Sequence, residues 1–546
     1  MSFYEESSIV ITPNAYKAGT LYAINPASGL ADMDVTRATA ATRVDENGLV
    51  NYAEIIGGEE VTCGDFSCAV PTDYWTATNA IISFSNNEVT VDDTAGAGAD
   101  SRAAQNFPTI PGKSYIVKFN RVSTTSQFWL GIGDGLAYSN IFYSALGTTT
   151  GEYTVQFTAT GTSSTIALIT SASGITVYSN VSVKQVDRDN VPRIDYTGGG
   201  CPHILAEPQR TNLLTQSNQF DTTWVQSGTL TSGQDGVGGS TDAWKFQNPN
   251  STSSLYQPDT TSGVQTLSAY FKKNSNYGVR FYAFGSVNCS AFFDLNNGAV
   301  VVEFNSTAKI ETVGDDWFRC SMTFDQTNTR CDFYVTNNAS TQVLGDYTIQ
   351  YAQLEEGSYP TSYIPTSGAT VTRNQDQFSR DGISSLINST EGCVFGEGNF
   401  AESNSSSYNY FVSLSDGTSS NRLEVRQSSP NLQFLWRVAT YQSEISTSSL
   451  DVSSNFKFAL NYSAANIKFY VNGDLIGTIN TPTLWSVNTL NRLAFDDGTG
   501  GNRLSGKVKQ LQVYPTALTD EQLIELTGVT YSSYLAMANA LNYTIQ

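Results

Sequence analysis

From about residue 59 to residue 514 the chain is a succession of short runs that alternate apolar and polar residues. Tyr115-Ile116-Val117-Lys118-Phe119 and Tyr153-Thr154-Val155-Gln156-Phe157-Thr158 show the pattern cleanly. A period of two places successive side chains on opposite faces of a strand, so one face can be buried while the other stays wet. The runs are punctuated by turn residues such as Asn86-Asn87, Pro111-Gly112 and Asn296-Asn297-Gly298. Strands recurring every roughly 8–15 residues between such turns describe two-sheet sandwiches or jelly rolls. The expected fold class is all-β, a tandem array of β-sandwich (jelly-roll) domains with a short C-terminal helical tail. With 546 residues, room exists for about three or four domains.

The punctuation suggests where the array divides. Residues 1–58 are short strands and turns, too few to bury a core alone, and are assigned as an N-terminal attachment segment. Residues 59–187 form a first sandwich, opened by Tyr74-Trp75. Residues 188–214 hold Gly198-Gly199-Gly200, two prolines and the sole histidine, His203, and read as a seam packing with the N-terminal segment. Residues 215–375 repeat the plan of the first sandwich and open with Trp224. Residues 376–530 form a third β unit. In it Asp416-Gly417-Thr418 with Asn421-Arg422-Leu423 returns as Asp497-Gly498-Thr499 with Asn502-Arg503-Leu504. A further echo links Asp34-Val35-Thr36-Arg37 to Thr370-Val371-Thr372-Arg373. Thr519 with Gln522 forms a capping box before Leu523 and Leu526. Residues 531–546 are expected to be a helical tail, either a pad on the last sandwich or a docking peptide.

Charge narrows the function. The formal net charge is −21, which repels phosphate polymers and anionic membranes, so no nucleic acid is expected as a partner. No apolar run approaches the roughly 20 residues of a spanning helix, and membrane insertion is not expected. The start, MSFYEESSIV, carries acids where a secretory signal needs bases, which points to synthesis in a cytoplasm. The seven cysteines are scattered and form no CxxC pair, so small reduced core residues are expected. Cys320 and Cys331, facing each other across a hairpin, are the disulfide candidate.

Several stretches carry resemblances. DVTRATAATRVDENGLV and NVPRIDYTGGGCPHILAEPQRTNLL, with AQLEEGSYPTSYIPTSGATVTR, resemble a group of bacteriophage virion proteins. In those relatives the first two pieces are close together, which implies that residues 59–187 are an inserted domain. Residues 59–187 and 215–375 resemble jelly-roll carbohydrate-binding modules. Residues 391–527, with NFKFALNYSAANIKFYVNGDLIGTI, are similar to laminin-G/concanavalin A-like domains. The implied setting is a virion, the protein being made in the host cytoplasm without a signal peptide. The implied partners are other virion proteins and host cell-surface glycans. A homo-oligomer is expected from that context, a trimer by analogy.

Sugar recognition needs a flat aromatic face against pyranose C–H groups, with polar side chains beside it for the hydroxyls. Trp75 with Tyr74, Trp129, Trp224 and Trp436 are the candidates; each is alternatively sandwich core. Trp317 lies in a strongly strand-like run and is read as core. Asp496, Asp497 and Asn502 cluster oxygens that could hold a structural calcium, although Asp-Gly is equally a plain turn. No other cofactor is expected. His203, the one histidine, is read as a loop residue without an orienting partner, and no carboxylate pair stands out, so no catalytic residue is assigned. The expected function is a non-enzymatic virion structural protein that displays lectin-like sandwiches to host glycans. The alternatives are a purely structural spacer and a polysaccharide depolymerase.

Overall fold

The computed structural model describes residues 3–94, 100–171, 173–274, 278–314, 316–337, 340–403 and 408–528. The tail at 531–546 lies outside the described residues. The chain is all-β and falls into two compact units, residues 54–188 and residues 1–53 with 189–546.

The 54–188 unit is one sandwich. One sheet runs, in order, Phe142–Ala145, Phe128–Asp134, Ser163–Thr170, Ser101–Pro108 and Thr76–Thr78. The other runs Gly151–Thr158, Ser114–Thr124, Ile175–Asp187, Glu88–Asp92 and Ile81–Ser85, with Ile55–Glu59 also on Ile175–Asp187. Alternation supplies the core directly. Tyr115, Val117 and Phe119 from one sheet meet Phe128, Leu130 and Ile132 from the other.

Residues 215–356 in the second unit repeat this topology strand for strand and add a corner. One sheet runs Ala299–Phe304, Cys289–Asp294, Gly278–Gly285, Asn328–Thr336, Ser254–Thr261 and Val225–Gln226. Its mate runs Thr307–Gly314, Trp317–Asp325, Val264–Lys272, Asp346–Glu356, Ala243–Gln247 and Thr229–Gln234. The extra pair, Ala299–Phe304 and Thr307–Gly314, extends both sheets at one edge. The outer face of the second sheet is sealed: Trp317, Tyr270 and Tyr351 are buried with Tyr363, whose ring stacks on Tyr351 at 4.5 Å.

The third sandwich draws on three separate parts of the chain. Its eight-stranded sheet runs Ile194–Asp195, His203–Ala206, Gly506–Tyr514, Gly392–Phe400, Phe456–Tyr462, Asn466–Val471 and Asp474–Asn480, with Ile9–Ile11 on Gly506–Tyr514. Met33–Thr36 pairs with Gln377–Arg380 in the nine-stranded sheet opposite. Residues 1–53 pack into this core through Ile9, Ile11, Met33 and Val35. Two strands within 188–214 are rungs of the same sheet. The helix Asp520–Gly528 starts at the capping box, where Thr519 and Gln522 exchange bonds of 2.9 and 3.3 Å. It lays Leu523 and Leu526 over Cys393, Phe395 and Tyr470.

The seam is held by charge. Arg37, Arg193 and Arg373 are fully buried, each at most 1% exposed. Asp376 takes Arg37 Nη1 at 2.8 Å on one oxygen and Arg193 with the Glu207 amide on the other. Glu207 takes Arg193 at 2.6 Å and Arg373 at 2.8 Å. Ser362 bridges, receiving Arg193 at 2.7 Å and Arg373 at 2.9 Å. Despite their burial, both carboxyls are held below the usual carboxylate range by the guanidinia around them. The echoed Arg37 and Arg373 are thus two spokes of one hub.

The cysteines depart from expectation. Cys320 and Cys331 are buried and free. Trp317–Asp325 and Asn328–Thr336 belong to opposite sheets, so the connection between them switches sheets and is no hairpin. Cys63 and Cys68 form the disulfide instead, around a turn where Cys63 and Phe66 take positive φ.

Candidate functional site

The tryptophan that opens each of the first two sandwiches is a plug. Trp75 is 1% exposed, packs on Phe66 at 5.3 Å, and donates its indole N–H to the Cys63 carbonyl at 3.0 Å. Trp224 is 5% exposed, packs on Phe220 at 5.0 Å, and donates to the Gln216 carbonyl at 2.8 Å. Trp436 stacks on Phe434 at 5.8 Å within the third core and donates to Thr483. These three candidates are corrected to core: a buried indole satisfied by a backbone carbonyl offers no face to a sugar. Tyr74 remains exposed beside the 3-10 turn Pro71–Asp73.

Trp129 is different. Its strand alternates Phe128 and Leu130 inward, which turns Trp129 onto the outer face, half-buried. There it stacks on Tyr143 of the neighbouring strand, centroids 5.0 Å apart and planes 25° off parallel. Ala104, Ala167 and Ile169 form the apolar floor. Tyr138, carried on the turn at 135–140, meets Tyr143 edge-on at 6.3 Å, and the Arg102 guanidinium lies 3.8 Å over the Tyr138 ring. The turn can lie this close because the face has glycines at alternate positions. A Cβ on Gly131 would come within 2.3 Å of the Tyr138 carbonyl oxygen, and one on Gly133 equally close to Ala137. The Tyr143 hydroxyl donates to Asp100 at 3.1 Å; burial and this bond push its pKa up to about 12. The patch thus combines an open pair of rings, a carboxylate and a guanidinium. Tyr138, Tyr143 and Arg102 were not singled out from sequence. The available signal was Gly131 and Gly133, two and four residues after Trp129 and so on its face.

The third sandwich spends its outer polar groups on itself. Arg422 and Arg426 hold Glu424 at 2.9 and 3.2 Å, and Arg426 also donates to Gln433 and the Tyr410 hydroxyl. The two echoed turns are the same device. Asp416 accepts Thr418 and Asn421 as Asp497 accepts Thr499 and Asn502, with Asn-to-carboxylate bonds of 2.8 and 2.9 Å. Asp496 faces elsewhere, taking Arg492 at 2.7 Å and the Gly498 amide. Asn502 donates its amide N–H to Asp497, and no group of three His, Cys, Asp or Glu side chains able to hold an ion occurs among the described residues. The hydrogen bonds around Asp416 and Asp497 are those of Asx turns.

His203 is in a strand and does have an orienting partner. In register with Asp195, its Nε2 lies 2.8 Å from the carboxylate. Burial holds the imidazole below its usual pKa, while Asp195 is kept ionised by His203 and the Val44 amide. The pair fastens the hairpin to the N-terminal strand at Thr42–Val44.

The protein is by fold an all-β array of sandwiches. Residues 399–524 match the family model of the concanavalin A-like lectin/glucanases superfamily. Among solved structures, the CBM40 of Ruminococcus gnavus IT-sialidase bound to α2,3-sialyllactose is 18% identical, covering 26% of this chain and 83% of its own, with a TM-score of 0.23. A SAP-like pentraxin from Limulus polyphemus is also 18% identical, covering 25% and 70%, TM-score 0.22. Domain 4 of the arabinanase AbnA from Geobacillus stearothermophilus, in complex with arabinotriose, is 12% identical, covering 32% and 82%, TM-score 0.24. No curated protein matches the chain.

Proposed function

We propose that this chain is a non-enzymatic bacteriophage virion protein that contacts host cell-surface glycans, with the Trp129–Tyr143 patch as a sugar platform. The observation that carries the reading is the stacked pair itself: two rings left half-open on an outer sheet face when the other candidate tryptophans are plugged into cores. A pyranose ring placed on that pair would bury its C–H face, with Arg102 and Asp100 beside it for hydroxyls. The phage-like phrases support the virion setting, and the match of residues 399–524 to the concanavalin A-like lectin/glucanases superfamily supports sugar contact.

The test is binding of the full chain to host cells and to a glycan array, wild type against Trp129→Ala. A loss of about tenfold, or ~1.4 kcal/mol, with unchanged thermal unfolding is expected. Equal binding by both proteins would sink the platform. A purely structural spacer is the competing reading, favoured by the burial of Trp75, Trp224 and Trp436. It wins if neither protein binds any glycan or host cell. Release of new reducing ends from host polysaccharide would instead establish a depolymerase.

A further inference from the structure

The equivalent sheet of the second sandwich also carries arginines among aromatic rings on its outer face, and one of those arginines is unspent. Register sets the face out in rows. Ser254, Tyr334, Arg280, Phe292 and Val302 lie opposite one another on consecutive strands. The next row holds Tyr256, Asp332, Tyr282, Ser290 and Phe304. Arg330 and Phe284 follow.

Arg330 is committed. It pairs with Asp332 at 3.0 Å and lies over Phe284 at 4.1 Å and Tyr256 at 4.5 Å. Asp332 is committed too: beyond Arg330 it accepts Ser254 at 2.9 Å and the Tyr334 hydroxyl at 3.0 Å. Arg280 is not. Its guanidinium lies 4.2 Å from the Tyr282 ring centre, 4.8 Å from Phe292 and 5.8 Å from Tyr334. It makes no hydrogen bond or ion pair with any group among the described residues, and its Nε is buried without a partner. A half-buried guanidinium held by rings keeps its orientation while its two Nη groups stay available. The rings that hold it, Tyr282 and Phe292, are themselves only half covered.

We propose that this face binds an acidic saccharide, with Arg280 receiving the sugar carboxylate and the Tyr282 and Phe292 rings receiving pyranose C–H faces. A carboxylate accepts two parallel N–H bonds from a guanidinium, which a neutral hydroxymethyl group cannot do. The two rings and the one unpaired guanidinium among the described residues of this face fit a sugar ring bearing one acid group. The site is separate from the Trp129 patch and is tested independently of it.

The full chain is titrated with a panel of oligosaccharides bearing uronate or sialate groups, each beside its carboxyl-reduced counterpart. Wild type is expected to bind at least one acidic member at least tenfold more tightly than its reduced form. Arg280→Gln should abolish that preference, and Arg280→Lys should keep part of it because the charge remains but the fork is lost. Trp129→Ala should leave the preference intact, so failure of the earlier reading and failure of this one look different. The proposal is overturned if wild type prefers no acidic member, or if Arg280→Gln keeps the preference. Should Arg280→Gln unfold, an undiminished preference in Tyr282→Ala and Arg280→Lys overturns it equally.

Discussion

Replacing Asp376 with Asn removes one negative charge from the seam at nearly constant volume. The carboxylate is fully buried and holds Arg37 on one oxygen and Arg193 on the other. Afterwards Glu207 is the one carboxylate left in direct ion pairs with these guanidinia among the described residues, and it reaches Arg193 and Arg373 but not Arg37. Arg37 loses the Asp376 carboxylate it holds at 2.8 Å. Breaking a buried ion pair by removing one partner costs about 3–5 kcal/mol, because a charge is left without compensation. The Asn amide can still accept one hydrogen bond, which places Asp376→Asn toward the lower end, about 3 kcal/mol. The two compact units make a single two-state fit inappropriate, so unfolding in urea is followed by hydrogen exchange, which reads each unit separately. The transition of residues 1–53 and 189–546 should move to lower urea, and that of 54–188 should not. The acid limb gives a second readout. Glu207 and Asp376 have folded pKa values below their unfolded ones. Their contribution is therefore present above the unfolded carboxylate range, about pH 4, and fades as pH falls through the folded values. Asp376→Asn should flatten that acid-side loss. A destabilisation under about 1 kcal/mol, or an equal shift in both units, would refute the hub as the tie between the three parts of the chain.

Two further outcomes follow from the 54–188 unit. Reduction, or Cys63→Ser, releases a loop of sequence separation 5 and should cost this unit about 2 kcal/mol, seen as an earlier thermal transition while the other unit is unchanged. Trp75→Ala empties a core site and should cost about 3–5 kcal/mol in the same transition; an unfolding-neutral Trp75→Ala that lost glycan binding would instead restore Trp75 as a contact residue.

The strand content and the repeat of one sandwich plan were legible because a period of two survives in any window of six or eight residues. Which face of a strand points inward was legible only where one face was plainly polar. Trp75 and Trp129 look alike in sequence, and their fates differ because Trp75 packs under the Cys63–Cys68 turn while Trp129 follows Phe128 by one residue and so faces away from the core. Long-range ties left no local trace. Arg37 and Asp376 are 339 positions apart, and the echo of Arg37 in Arg373 signals similar local backbone, not a shared carboxylate. Which later strands residues 1–58 pack on was hidden for the same reason: three-residue strands such as Ile9–Ile11 are completed by partners near residue 512. Cys320 and Cys331 misled because a strand–turn–strand pattern cannot show that the second strand joins the opposite sheet.

A two-sheet sandwich has four faces, and packing takes two of them for the core. In the second sandwich a third is taken as well, since Trp317, Tyr270 and Tyr351 are sealed by Tyr363 and its neighbours. The face that remains is the one bearing Arg280, Tyr282 and Phe292. In the 54–188 unit the equivalent sheet bears Trp129, Tyr143 and Arg102. The opposite outer face there presents Lys118, Thr154 and Gln156, an ordinary solvated surface. Aromatic rings held against guanidinia therefore recur on the topologically matching sheet of both sandwiches, on different residues in different rows. Core packing does not require them there, because each sandwich is already filled by its inner faces. The part of each ring left in water keeps its hydration cost until something lies on it. Their recurrence on the matching outer face of both sandwiches is the observation on which the proposed sugar contacts rest.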